Sequence, residues 1–241
     1  MTRDHELVVE HHEGVLVISI DRPAVRNAIS REIAQAIGEA LDAFEADASL
    51  HAAILHGRHG VFSSGMDLAR FRETGERPLH PDRGSGGITG RPPLKPLIAA
   101  VEGWALGLGF EILLACDLVI AANDARFGLP EVRHGLIAAG GGAIRLPSRV
   151  PWTIAAQILL TGRPIAAERL YQVGLINELC APGHALEAAL RIAGEMGQAD
   201  PAAVAATKDL MLRSLDWSVG EAFGAQAPFI DAMIGRNEET S

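Results

Sequence analysis

Two cysteines, one tyrosine and an aromatic share of 5% are scant for 241 residues, and each scarcity removes a class of protein. Cys116 and Cys180 sit in apolar contexts and lack the spacing of a metal knuckle or a disulfide framework, so a reduced, cytoplasmic setting is expected. Basic residues are also short. A net charge of −9 offers nucleic acid or an anionic membrane no broad attraction, and an anionic ligand would need local cations. The first fourteen residues carry charges and three histidines instead of a basic start and an apolar core, which disfavours export. No uninterrupted apolar run reaches membrane length either. The longest, residues 96–122, contains Glu102, Glu111, Asp117 and several glycines, and reads as a buried strand, helix and strand. His11, His12, His51, His56, His59 and His134 show no metal-ligand spacing, so no metal is expected.

What is abundant is small and aliphatic. A hydrophobic share of 48% with 26 glycines describes a core of Ala, Leu, Ile and Val cut by tight turns, large enough for one domain with a helical appendage. Residues 7–10 and 15–20 flank a His-His-Glu-Gly turn and predict a hairpin. Ser30 is a candidate N-cap for a helix over Arg31–Ala46, with Ile33, Ile37, Leu41 and Phe44 on one face. Residues 52–56 read as a short strand. Residues 75–96, rich in Pro, Gly, Arg and Asp without apolar period, predict a mobile loop that could border a substrate entrance. Residues 97–101 and 118–122 are strands on either side of a helix over 107–116. Further on, residues 152–160 and 166–172 predict helices, 175–180 a strand and 185–196 a helix. From Pro201 the pattern is helical only.

Chemistry concentrates between Gly103 and Glu131. Gly103, Gly107 and Gly109 lead from strand to helix, and the first amides of a helix have no intrahelical acceptor, so those near Gly107 and Leu108 can face an oxygen that becomes negative. Glu111 falls in the first turn of that helix. Twenty residues on, Glu131 follows the turn signal Phe127-Gly128-Leu129-Pro130.

Three segments resemble the enoyl-CoA hydratase/isomerase, or crotonase, family. They are Arg22-Pro23 with Asn27-Ala28, the run from Phe62 to Leu68, and Ala105 to Glu111 with Phe127 to Glu131. The resemblance covers nearly the whole chain in order and spacing. It implies an α/β fold, a crotonase-like spiral of strand-strand-helix units with a C-terminal helical trimerisation segment. It divides the chain into a core over 1–195 that holds the acyl-CoA site and an assembly segment over 196–241, shorter than many members carry. It implies an acyl-CoA thioester substrate, a homotrimer or dimer of trimers, and no cofactor beyond the coenzyme A of the substrate.

By motif position, the thioester oxygen would be bound by the amides of Met66 and Leu108, and Glu111 and Glu131 would be the catalytic pair of a hydratase. The same resemblance implies that Arg22, Ala24, Arg26 and Ala28 contact the coenzyme A. Ser64, Gly65, Asp67, Leu68, Trp104, Gly107, Pro130 and Ala139 would line the substrate site. Adding water across a conjugated enoyl thioester builds charge on the thioester oxygen, which two fixed N–H donors stabilise without reorganising. The helix dipole favours ionised Glu111 as the base that activates water. An apolar surround makes Glu131 the candidate proton donor to the α-carbon. Leu108 stands where members often have glycine, and Ile137-Ala138-Ala139 replaces a common Ile-Pro-Gly, so the acyl group stays open.

Rival readings are a double-bond isomerase working with the Glu131 position alone, a non-catalytic acyl-CoA binding or assembly protein, and a serine protease of the same fold. A dinucleotide fingerprint fails at Ile112, where glycine is needed. Ser63 and Ser64 read as turn residues and Asp117 as structural; the alternative to a catalytic Glu111 and Glu131 is a pair of structural carboxylates that cap helices or pair with Arg126, Arg133 or Arg145. Trp217 and Phe223 could be subunit contacts or ordinary core.

Overall fold

The computed structural model describes residues 6–239; residues 1–5 and 240–241 of the two expected segments lie outside the described residues. The chain opens with a hairpin of β1 (Leu7–His12) and β2 (Val15–Ile20), then α1 (Arg31–Ala46) and β3 (Ala52–Gly57). It continues through α2 (Leu68–Thr74), the two-residue pair β4 (Leu79–His80) and β5 (Gly84–Ser85), β6 (Leu97–Val101), β7 (Trp104–Leu106) and α3 (Leu108–Leu113). Next come β8 (Leu118–Ala122), β9 (Arg126–Gly128), α4 (Gly142–Arg149), α5 (Trp152–Thr161), β10 (Ile165–Ala166), α6 (Ala167–Gln172) and β11 (Glu178–Cys180). The last four helices are α7 (Ala185–Met196), α8 (Pro201–Ser214), α9 (Val219–Ala225) and α10 (Ala227–Glu239).

The main sheet has the order β1-β2-β3-β6-β8-β11, antiparallel at β1-β2 and parallel at every other pairing. Strands covered on both faces should be apolar nearly throughout, and β2, with all six residues buried, is apolar at every position but Ser19. Val15, Val17, Ala52, Ile54, Ile98, Ala100 and Ile120 point to one face, where Ala185, Ala189 and Ala193 of α7 meet them. Three alanines four residues apart form a flat stripe that lets the helix lie close to the sheet. The opposite face is the larger core, closed by Ile33, Ile37, Leu41 and Phe44 of α1. Helix α1 begins where its cap dictates, with Ser30 Oγ accepting from Ile33 N at 3.3 Å.

A second sheet of order β10-β9-β7 stands beside the first and carries the chain from β6 to α3. Its strands, two or three residues long, are too short to print a period of two on the sequence. Helix α3 also stops at Leu113, short of the expected end at 116, because Ala115 N and Cys116 N turn back to Ile112 O and Leu113 O. Helix α4 forms from a glycine-rich stretch despite Pro147 within it.

Residues 75–96 are irregular apart from β4 and β5, as expected of a loop, but they are anchored to the core. Arg83 is fully buried: Nε and Nη2 donate to Asp42 Oδ1 at 3.0 and 2.7 Å, Nη1 donates to Arg91 O at 2.9 Å, and Nη2 also reaches Glu45 Oε2. His80 Nδ1 accepts from Arg83 N at 3.2 Å, and Ile88 is buried in the core. The segment lacks apolar periodicity because a buried guanidinium, in place of an apolar face, ties it to α1.

Candidate active site

Two turns meet at the N-terminus of α3. In the first, Ser63 Oγ donates to Asn27 O at 2.8 Å and accepts from Gly65 N at 3.1 Å, so that hydroxyl is occupied by the turn, as expected of a turn residue. Gly65 adopts φ +98°, and a Cβ there would lie 2.8 Å from Leu106 O and 3.5 Å from Leu108 N. Only glycine lets the two backbones approach this closely. In the second turn Gly107, at φ +51°, donates its amide to Gly128 O at 2.9 Å. Gly109 packs so tightly that a Cβ would sit 2.7 Å from Ser63 Cβ. The amides that follow, Met66 N and Leu108 N, donate to no backbone or side-chain acceptor among the described residues. Two neighbouring backbone segments thus each present a free donor.

The carboxylates flank this place. Glu131 lies in a short 3-10 turn, Pro130–His134, begun by Pro130, and its Oε1 would stand 3.2 Å from a Cβ on Gly107. Its Oε2 is buried without a hydrogen-bond partner among the described residues. Glu111 is only 3% exposed, and its Oε1 accepts the first amide of α4, Gly142 N, at 2.9 Å. Gly140 is required beside it, since a Cβ would come within 2.6 Å of Oε2.

Burial pushes the Glu111 carboxyl up to about 7; the Gly142 amide draws it down, Glu131 raises it again, and the Gly140 amide and Arg145 lower it. Burial likewise raises Glu131, partly offset by its own amide. The sequence argument that a helix N-terminus favours ionised Glu111 is therefore outweighed, because α3 has six residues and desolvation dominates. A carboxyl near 7 is poised to give or take a proton at neutral pH.

The arginines offered as structural partners do not pair with these acids among the described residues. Arg126 donates to Asp124 O and Ala125 O, Arg133 to Thr161 O, and Arg145 to Thr89 O. Helix capping does hold for Glu111 at α4. Asp117 is structural, accepting from Leu97 N at 2.8 Å and from Lys208 Nζ at 2.6 Å.

Of the residues expected to meet substrate, Gly65, Met66, Gly107, Leu108, Glu111, Pro130 and Glu131 come together. Ala28 is buried, and Ala139 is exposed beside Gly140. Ala24 and Arg26 lie on an exposed turn joined to the first donor segment by Ser64 N to Arg26 O at 3.0 Å and Ser64 Oγ to Val25 O at 3.0 Å. Leu68 and Trp104 are 44% and 43% exposed, the latter at the far end of β7 from Gly107. Arg22 and Asp67 require correction. The Arg22 guanidinium is turned inward onto Ala28 O, Asp67 Oδ2 at 3.1 Å and Glu6 Oε2 at 2.8 Å. Asp67 Oδ1 caps α2 by accepting Arg70 N at 3.0 Å. Each satisfies the other's charge, so the Arg22 guanidinium is already engaged within the protein and turned away from any ligand phosphate.

Missed by sequence reasoning was the contribution of α4. Its first amide, Gly142 N, holds Glu111; the glycine run 140–142 was the available signal, since helix starts with bare amides favour acids.

A spiral of strand-strand-helix units with free amides at the head of a short helix is the crotonase architecture. The model of the enoyl-CoA hydratase/isomerase family matches residues 10–235, and the chain belongs to that family of enzymes. An enoyl-CoA hydratase from Mycobacterium tuberculosis superposes with a TM-score of 0.90 at 45% identity, covering 93% of this chain and 88% of that one. One from Mycobacterium marinum superposes at 0.94 with 43% identity, covering 98% and 92%. A carnitinyl-CoA dehydratase from Salmonella arizonae is 40% identical over 87% of this chain and 81% of its own. A 2,3-dehydroadipyl-CoA hydratase from Escherichia coli is 35% identical over 87% and 82%.

Proposed function

We propose that this protein is a hydro-lyase that adds water across the double bond of a 2-enoyl-CoA thioester. The observation that carries the reading is the pair of raised carboxyls, Glu111 and Glu131, beside the free amides of Met66 and Leu108. The thioester oxygen would accept both amides, so that charge arising on it as water attacks the β-carbon is met by donors already in place. Ionised Glu111 takes the proton of that water, and protonated Glu131, with its unpartnered buried oxygen, delivers a proton to the α-carbon. Water adds and no electrons are exchanged, so the reaction asks for no redox group or metal.

The family spans isomerases as well. Moving a double bond needs one acid that shuttles a proton, whereas a second buried acid with a carboxyl near 7 is suited to activating water. Names among the relatives, carnitinyl-CoA dehydratase and 2,3-dehydroadipyl-CoA hydratase, lend support to hydration and to acyl groups that carry a polar end. Exposed Arg26 remains a candidate for the coenzyme A phosphates, and a cytoplasmic homotrimer or dimer of trimers is the assembly proposed. Among the described residues no helix is long and apolar enough to cross a membrane.

The test is a panel of 2-enoyl-CoA esters followed by loss of the enoyl absorbance. Glu111→Gln and Glu131→Gln should each lower kcat by about a hundredfold or more, the usual worth of a positioned acid or base. Undiminished turnover in Glu111→Gln, or double-bond migration without hydration, would remove the hydratase reading.

A further inference from the structure

The 140–142 turn touches Glu111 on one side and Arg145 on the other. On the first side Gly142 N donates to Glu111 Oε1 at 2.9 Å, and Gly140 lies flat against Oε2. On the second, Arg145 Nη1 lies so close over Gly141 that a Cβ there would collide with it, while Nη2 donates to Thr89 O at 2.6 Å. Thr89 is buried in the segment whose Gly86 faces Ile112 and Leu108 of α3, where a Cβ would be 2.6 Å from Ile112 Cδ1 and 3.6 Å from Leu108 Cδ1. The guanidinium therefore spans the two segments that enclose the α3 end of the site. It is half-buried, always cationic, and pairs with no carboxylate among the described residues. A desolvated cation without an acid is costly unless its field serves a nearby charge.

We propose that Arg145 is a positioning residue for Glu111: its guanidinium ties the 140–142 turn, whose Gly142 amide holds Glu111, to the Thr89 carbonyl and so fixes a positive charge on the other side of that turn from the carboxylate. The groups that act on Glu111 are Glu131, which disfavours its ionisation, and Arg145, which favours it, with the Gly142 and Gly140 amides. Arg149 acts on Arg145 from the same helix, and the Cys116 thiol, pushed up to about 12 by burial, is neutral. Arg145 thus acts against both the burial of Glu111 and the repulsion from Glu131. The inference rests on Glu111 being the base of the proposed hydration only for its consequence in turnover; the effect on ionisation is independent of it.

The test titrates the Glu111 carboxyl by carbon NMR in the full chain labelled at glutamate, with Glu111→Gln identifying the resonance. Arg145→Gln, which keeps an N–H donor but no charge, should raise the midpoint by about half to one unit, as loss of a nearby opposite charge does. Arg145→Lys, which keeps the charge, should restore the wild-type midpoint. The acidic limb of the kcat profile should move up with the midpoint, lowering kcat at pH 6 by about three- to tenfold, with KM within about twofold. An unmoved midpoint in Arg145→Gln, or a lysine variant displaced as far as the glutamine one, overturns the proposal. If Arg145→Gln does not fold, Arg145→Lys decides, because a midpoint displaced despite the retained charge refutes the electrostatic role. A wild-type protein that hydrates no enoyl thioester would sink the proposed reaction and leave the titration result standing.

Discussion

Glu111 trades stability for chemistry. Its carboxyl stands near 7 in the folded chain against an ordinary 4.5, so between those values the folded state holds a proton that the unfolded chain has released. Stability therefore falls as pH rises from about 4.5 to about 7. Replacing Glu111 with Gln abolishes that penalty while keeping an oxygen for the Gly142 amide. The variant should be more stable than wild type at pH 8 by on the order of 2–3 kcal/mol, a gain that shrinks as pH falls toward 4.5. Denaturant melts at the two pH values measure it, and a gain independent of pH would show that charge burial is not its source. That Glu111 and Glu131 flank a glycine-led helix was legible in the sequence, because glycine spacing and a proline turn are local signals. The raised Glu131 was legible as well, from its apolar surround; the raised Glu111 was not, since its solvent exclusion is set by a segment about thirty residues away.

The helices and strands that the sequence placed well are those whose partners run along their full length. The Arg31–Ala46 helix and the two apolar strands on either side of α3 repeat one burial pattern long enough to be read. Helix α2, helix α4 and strands β7 and β9 do not; turns at Gly65, Gly141, Gly103 and residues 122–125 deliver the chain into them. Residues 75–96 fail for a further reason, their order depending on one fully buried arginine. Arg83→Met would keep the apolar stem but leave Asp42 and Glu45 with exposed Arg91 as their one remaining cation among the described residues. A loss of about 2 kcal/mol is expected, since the charge-assisted hydrogen bonds of Arg83 to α1 and its bond to Arg91 O are lost together. Hydrogen exchange should then accelerate across 79–91 before it does in the main sheet; uniform acceleration would deny that Arg83 anchors this segment in particular.

Across the full chain, apolar surface is distributed unevenly. Helix α8 is pinned to the core by Lys208, whose Nζ donates to Asp117 Oδ2 at 2.6 Å and Lys95 O at 2.9 Å. The far sides of α8, α9 and α10 nevertheless leave Met211, Leu215, Val219, Phe223 and Ile234 in solvent, Phe223 at 76% and Val219 at 86% exposure. Large apolar side chains exposed in this number along three successive helices are what subunit contacts cover. The proposed homo-oligomer would bury it, so Phe223→Glu should lower the assembled mass in light scattering, while the secondary structure by circular dichroism stays unchanged. An assembly indifferent to that charge would assign Phe223 elsewhere.

Periodicity, capping and glycine placement act over a few neighbouring residues, and they determined the two-sided parallel strands, the start of α1 and the bare amides at α3. Tertiary packing decided the rest: that Arg22 faces Asp67 instead of a phosphate, that Glu111 holds its proton to near neutrality, and that Arg145 comes to stand by it. Desolvation and Coulomb forces depend on what surrounds a group in space, and at each of these three places the neighbours come from segments distant along the chain.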